Sequence, residues 1–362
     1  GVTLPLRNML TTKRNIRSLS TDEIIDFFAE RNQPRFRAEQ VEQWLWQKQA
    51  KSFDEMTNLP KELRPVLEEH FTINALTIAE EQQSNDGTVK LAFKLYDGKV
   101  VEGVLIPAND RMTACISSQV GCSLSCKFCA TGKLKRMRNL DPDEIFDQVV
   151  AVKEMAWKYY QKPLTNIVYM GMGEPLLNYK NVLVSIDRIT NDIGLGMSPK
   201  RITVSTAGIS KMIKQLARDR VKFRLALSLH AANDEKRSEI MPINDQNTLE
   251  SLVEALNDFH LNTKNRVTYE YIIFKDFNDK IDDANELIAF HKKVPGRVNI
   301  IEYNPIDDGN FEQATIEKVD AFADHLEKNG VIVNIRRSRG KDIDAACGQL
   351  ANKNEASVEA NI

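Results

Sequence analysis

The sequence predicts an α/β protein, a partial (β/α)6 barrel preceded by a small helical region and a β-hairpin. Three observations carry this. From about residue 110, short apolar strands alternate with helical stretches, as a parallel sheet requires. Every unusual polar motif falls just after one of those strands, on the rim where βα barrels keep their chemistry. Residues 1–95 lack the alternation altogether.

Taken in order, Ser20-Thr21-Asp22-Glu23 opens a helix over residues 21–29, with Ile24, Ile25, Phe27 and Phe28 as its apolar positions. A second helix is expected over 37–48, with Val41, Leu45, Trp44 and Trp46, and a third over 60–70. The two tryptophans read as core, although aromatic and basic residues here also suit RNA. Asp86-Gly87 and Asp97-Gly98 bracket a strand at 89–95, and residues 100–106 supply its hairpin partner. Barrel strands are expected at 113–117, 166–170, 201–205, 223–229, 267–273 and 298–303, with a further short strand at 331–335. Asp141 is an N-cap followed by Pro142 at the first turn, leading into a helix that ends at Tyr160. The expected organisation is therefore an accessory helical domain (1–95), a barrel (96–350) and a polar tail (351–362).

Composition narrows the function classes. No apolar run approaches the ~20 residues of a membrane helix, and residues 1–20 lack a signal-type apolar block. A cytoplasmic enzyme without a membrane partner is expected. Five clustered cysteines argue against a secreted disulfide scaffold. A net charge of −2 excludes a globally basic nucleic-acid binder but leaves room for local patches. Arg111, Lys127, Lys133, Lys135, Arg136 and Arg138 fall in a stretch without acidic residues, and Arg336-Arg337-Ser338-Arg339-Gly340-Lys341 forms a second run. Phosphate contacts from such runs position a nucleic acid without reading its sequence.

The chemistry concentrates in a few motifs. Cys122, Cys126 and Cys129, spaced x3 then x2, converge on one point when the chain loops tightly. Three thiols are one short of the usual set for an iron–sulfur cubane and would leave one iron open. The same thiols suit a zinc knot with Cys115 or Cys347 as fourth ligand. Gly171-Met172-Gly173-Glu174-Pro175 implies close backbone approach at two glycines beside a carboxylate. Ser205 ends the third barrel strand, Ser228-Leu229-His230 the fourth, and Asn304 precedes Pro305 after the sixth. Small neighbours leave the Cys347 thiol accessible, and Cys115 shares its rim. The two either meet across the site or are ordinary buried thiols. Glu102 reads as an exposed strand carboxylate.

Residues 121–132 (Cys-x3-Cys-x2-Cys-Ala-Thr-Gly), 171–176, 228–230, 241–244 (Met-Pro-Ile-Asn) and 342–350 together resemble the radical S-adenosylmethionine (SAM) RNA adenine methyltransferases, over nearly the whole chain. The resemblance implies a radical-SAM barrel with one [4Fe-4S] cluster on Cys122, Cys126 and Cys129. One SAM chelates the open iron, and two are used per turnover. Gly173, Glu174, Ser205, Ser228, Leu229, His230 and Asn304 are the implied SAM contacts. Cys347 is the implied methyl carrier, joined transiently to RNA through a methylene radical, and Glu102 takes the adenine C2 proton. Cys115 then attacks the Cys347 sulfur, leaving a Cys115–Cys347 disulfide. The implied substrates are an adenine of 23S rRNA at the peptidyl transferase centre and the tRNA adenosine next to the anticodon. An electron-donor protein such as flavodoxin and a monomeric state are also implied. Gly173-Glu174-Pro175 and Ser338-Arg339-Gly340 resemble the C2-methylating branch rather than the C8-methylating one. The competing class outside enzymes is a zinc-stabilised RNA-binding protein.

Overall fold

The computed structural model describes residues 13–307 and 309–353. The chain divides into one unit that ends at Ala75 and takes in Arg188–Gly196, and a second that runs from Leu76 to Asp187 and from Met197 onward. In the first unit β1 (Arg14–Asn15) pairs in parallel with β2 (Phe71–Thr72), around helices α1 (Thr21–Ala29), α2 (Phe36–Glu42) and α3 (Leu63–His70). Helix α1 starts where its sequence predicts. The Ser20 hydroxyl accepts from Glu23 N at 3.2 Å while the Glu23 carboxylate accepts from Ser20 N at 3.3 Å. Helix α2 runs on into a π-helical turn, Gln43–Gln47. Trp46 is 1% exposed, with the Arg17 and Arg188 guanidinium groups 4.4 and 4.6 Å from its ring centroid. It is a core residue. Trp44 stays half-buried and donates its indole N–H to Asn58 at 2.6 Å.

The second unit is built on a ten-stranded sheet whose strands lie in sequence order. An antiparallel meander of β3 (Thr77–Gln83), β4 (Val89–Lys94), β5 (Val100–Pro107) and β6 (Met112–Cys115) opens it. A short pair, β7 (Gln119–Val120) and β8 (Arg138–Asn139), frames the cysteine loop. Strand β6 then continues in parallel into β9 (Asn166–Tyr169), β10 (Ile202–Thr206), β11 (Arg224–Ser228), β12 (Thr268–Ile273), β13 (Arg297–Glu302) and β14 (Val333–Arg336). All the expected barrel strands are present within a few residues. Helices α4 (Pro142–Tyr160), α5 (Tyr179–Thr190), α6 (Ser210–Asp219), α7 (Asp234–Ile240), α8 (Leu249–Thr263), α9 (Ile281–Lys293) and α10 (Ile316–Lys328) alternate with them. Among the described residues no helix is long and apolar enough to cross a membrane.

Two expectations change. The sequence predicts no strand over residues 77–83, and pairing with β4 makes β3 one. Because β4 bonds to β5 and β3 to β4, the hairpin belongs to the barrel sheet, and a boundary at residue 95 falls inside that sheet. The expected polar tail begins as anchored chain. Asn352 N donates to Glu102 Oε1 at 2.8 Å and its side-chain amide to Val100 O at 3.0 Å. Residues 354–362 of that tail, and residues 1–12, lie outside the described residues.

At the rim the strand ends need hydrogen-bond partners that the sheet no longer supplies. Arg237, on α7 and wholly buried, meets several of them. Its Nε donates to Leu229 O at 3.0 Å, Nη2 to Ser228 O at 2.9 Å and to Ala207 O, and Nη1 to Asn244 Oδ1 at 2.8 Å. Asn244 is the last residue of the Met-Pro-Ile-Asn motif, which explains that motif structurally. Gln148 of α4 accepts from Ser117 N at 2.9 Å and donates to Ser117 O at 3.0 Å. Asn278 donates to His230 O and Ile272 O, both at 2.7 Å. Replacing Arg237 with Met strands these acceptors in a dry interior. The expected loss is about 3–5 kcal/mol of unfolding free energy. Urea titration checks it, and an unchanged midpoint would contradict the role.

Candidate active site at the barrel rim

The cysteine loop begins where Gly121 turns the chain at φ +75°. Cys129 N donates to Cys126 O at 3.3 Å and Gly132 N to Cys129 O at 3.2 Å, so the loop doubles back on itself. The three thiols are half-buried and perturb one another electrostatically. Burial pushes Cys122 up to about 11 and Cys126 higher still, the neighbouring thiols adding to the effect. Left to the protein alone Cys122 and Cys126 are neutral thiols, and a metal would deprotonate them. Among the described residues no group of three His, Cys, Asp or Glu side chains is already placed to hold a metal ion. Three soft sulfurs on one loop fit an iron–sulfur cluster better than a hard cation. Phe128, inside the loop, packs on Ile240, Met241, Phe274 and Tyr303, and meets the His230 ring edge-on at 4.6 Å.

The glycines of the second motif prove necessary. A Cβ on Gly171 would lie 2.6 Å from Ser117 Oγ, and one on Gly173, at φ +96°, 2.5 Å from Gln119 Cβ. Glu174 is buried and accepts from Leu176 N at 2.9 Å, Thr206 Oγ1 at 2.9 Å and Ala207 N at 2.6 Å. Burial outweighs these donors and pushes its carboxyl up to about 7. Glu174 thereby stitches the end of β9 to the end of β10, through Thr206 rather than Ser205. Ser205 sits half-buried beside it. The Ser228 and Leu229 carbonyls go to Arg237. His230, at φ +59°, accepts from Ile272 N on Nδ1 at 3.0 Å, and burial pushes its ring down to about 3. A neutral ring whose Nδ1 accepts carries its proton on Nε2. Asn304 donates to Cys347 O at 3.0 Å, while its Oδ1 is buried without a partner, an acceptor that a ligand donor would satisfy.

The barrel also holds two carboxylates. Glu102 is fully buried and ion-paired with Lys90 at 3.2 Å, which corrects the reading of an exposed strand carboxylate. The reason is local. Strands β4 and β5 are covered on both faces, so nearly all their residues are buried. Glu270 of β12 accepts from Asn299 at 3.1 Å, its Oε2 has no partner, and burial raises its pKa. Cys115 ends β6, half-buried, pushed up to about 12 by burial and then by Cys347. Cys347 is exposed yet crowded. That crowding, then Glu270 and Cys129, pushes it up to about 12. Cys115, Cys347 and Cys129 thus share one neighbourhood, and Cys115 and Cys347 are free thiols here.

Sequence reasoning missed Arg237, Gln148, Lys90 and Glu270. The available signal was a lone polar residue within or beside an apolar stretch. The basic runs are partly structural. Arg138 pairs with Asp97 at 2.8 Å and Glu144 at 2.6 Å, Lys341 pairs with Glu302 at 2.5 Å, and Arg339 donates to Pro107 O at 2.9 Å. Lys127, Lys135, Arg136 and Arg337 are exposed.

Known proteins resemble this chain along nearly its whole length. Residues 14–73 match the ribosomal RNA large subunit methyltransferase N-terminal domain, and residues 116–288 match the radical SAM superfamily. A probable dual-specificity RNA methyltransferase RlmN of Cytophaga hutchinsonii is 60% identical, covering 94% of this chain and 93% of its own. Its counterpart in Flavobacterium johnsoniae is 57% identical, covering 97% and 100%. The crystal structure of a radical SAM methyltransferase from Sphaerobacter thermophilus superposes with a TM-score of 0.87 at 38% identity, over 93% of this chain and 99% of that one. With relatives this similar along nearly its full length, the chain belongs to the RlmN family of radical SAM RNA methyltransferases.

Proposed function

We propose that this enzyme methylates C2 of an adenine in 23S rRNA, at the peptidyl transferase centre, and C2 of the adenosine next to the anticodon in tRNA, with Cys347 as methyl carrier. The observation that carries the proposal is the docking of the Cys347 loop on the cluster loop, where Ala130 N donates to Gly348 O at 2.8 Å, with Cys115, far away in sequence, near enough to feel the charge of Cys347. The relatives' dual-specificity name supports two RNA classes. When bound, a [4Fe-4S] cluster on Cys122, Cys126 and Cys129 and two SAM molecules per turnover supply the methyl group and the radical chemistry that electron-poor C2 requires.

The protein's own groups do the rest. Glu174, once ionised, attracts a cationic amino group, with Gly173 giving close backbone approach. Ser205, Ser228, Leu229, His230 and Asn304 line the rest of the SAM site, with neutral His230 offering only its Nε2 proton. Cys347 must shed its proton to accept a methyl group. Crowding and Glu270 resist that, while Arg336 and a sulfonium charge favour it. Glu102 receives the C2 proton. The Cys115 sulfur, losing its own proton, bonds to the Cys347 sulfur as the bond from that sulfur to the transferred carbon breaks. That carbon takes up a proton to become the methyl group, and the odd electron brought in with the radical would leave through the bound redox cofactor, which frees the methylated base. C2 is inaccessible inside a helix, so the adenine must be unstacked. Lys127, Lys135 and Arg136, exposed by the cluster loop, suit RNA phosphates. An electron-donor protein such as flavodoxin and a monomeric enzyme complete the reading.

Under turnover Cys115→Ala should accumulate a nuclease-sensitive protein–RNA band on denaturing gels, whereas Cys347→Ala and the double variant should not. No band for Cys115→Ala would remove its resolving role. Deuterium at adenine C2 should be lost from the product and deuterium at C8 kept, read by mass spectrometry. Glu174 is neutral below about 7, so SAM affinity should fall as pH drops through that value, approaching about tenfold per unit. Calorimetry on the reconstituted enzyme reads it, and Glu174→Gln should flatten the profile.

A further inference from the structure

Lys90 lies on β4, 5% exposed, and its ammonium group has three donors. One faces Glu102 Oε2 at 3.2 Å, and the others reach Ile343 O at 3.0 Å and Asp344 O at 3.4 Å. Glu102 Oε1 accepts from Asn352 N at 2.8 Å. Residues 343–344 precede Cys347 and residue 352 follows it. Both sides of the Cys347 loop are therefore fastened to one ion pair. The β3–β4 turn adds ties on the leading side only. There Asp342 accepts from Ser84 Oγ at 2.5 Å and Asn85 N at 3.0 Å, and Gly340 N donates to Asp86 at 2.7 Å.

We propose that the buried Lys90–Glu102 pair anchors both sides of the Cys347 loop, making Lys90 a positioning residue for the sulfur that carries the methyl group. The functional weight of this anchor rests on the carrier reading of Cys347. Buried charges in such a pair hold each other because neither finds water, and their hydrogen bonds fix the loop's carbonyls and amide in direction as well as distance. A proton taken up by Glu102 cancels the charge that holds Lys90. Proton acceptance then slackens the loop when Cys347 must turn from the base to Cys115.

The test compares the reconstituted enzyme with Lys90→Met, Glu102→Gln and the double variant Lys90→Met/Glu102→Gln, which carries no lone buried charge and survives if the single variants misfold. Hydrogen exchange should quicken about tenfold or more at residues 343–352 in the double variant while β12 and β13 keep wild-type protection. The rate of Cys347 S-methylation by SAM, read by peptide mass spectrometry, should drop about tenfold with the KM for SAM unchanged. Single variants that fold should show at most the effect of the double, since one anchor is lost in each. Wild-type exchange and wild-type loading in the double variant would overturn the anchor. A wild-type enzyme that never methylates Cys347 but shows the exchange difference would overturn the carrier reading and leave the anchor standing.

Discussion

A parallel strand that stops at an open rim leaves backbone amides and carbonyls with no next residue in the ladder, and in a buried rim water cannot take their place. This constraint shapes the whole site. Arg237, Gln148 and Asn278 answer it from the helices and loops, and Asn178 donates to Ser118 O and Leu140 O, both at 2.9 Å. Glu174 answers it from within a functional motif. Its carboxylate is partner to one hydroxyl and two amides as well as a candidate ligand contact. A rim fixed this way presents its ligand groups in set directions, which costs less on binding than ordering loose side chains.

The second organising feature is the return of the C-terminal loop to the hairpin. Strands β3 and β4 extend the sheet beyond β5, and their turn also grips residues 339–342. Part of the Arg336 to Lys341 run is accordingly committed to contacts within the protein. Arg339 and Lys341 hold the loop, while Arg337 stays exposed. In the other run, Arg138 fixes the start of α4 through Glu144, while residues such as Lys127, Lys135 and Arg136 keep their charge exposed at the cluster loop.

The thiols show a common electrostatic state reached for different reasons. Burial raises the pKa of Cys115, Cys122, Cys126 and Cys347, so none is a ready thiolate. Cys122 and Cys126 face mainly other thiols, a situation that a metal resolves by taking the protons' place. Cys347 faces Glu270 and Arg336 as well, opposite charges that bias it in opposite directions. Glu270 meets Arg336 at 3.9 Å through Oε1 and keeps its buried Oε2 without a hydrogen-bond partner.

The alternation of strands and helices, the capping of α1 and α4, and the rim position of every polar motif follow from local pattern, and the structure keeps them. Such features depend on near neighbours in the chain, through period, caps and turn residues, so one sequence suffices to read them. Strand β3 was not legible, because a polar segment becomes a strand only when β4 is there to pair with it. The burial of Glu102 was not legible either, since covering both faces of β5 takes elements from elsewhere in the chain. The same holds for Arg237, whose acceptors come from residues 207, 228 and 229, and for Lys90, whose partners lie at 102, 343 and 344. Sequence determined which residues are chemically capable. The tertiary structure decided which of them share a buried space, because desolvation and pairing arise only when distant segments exclude water together.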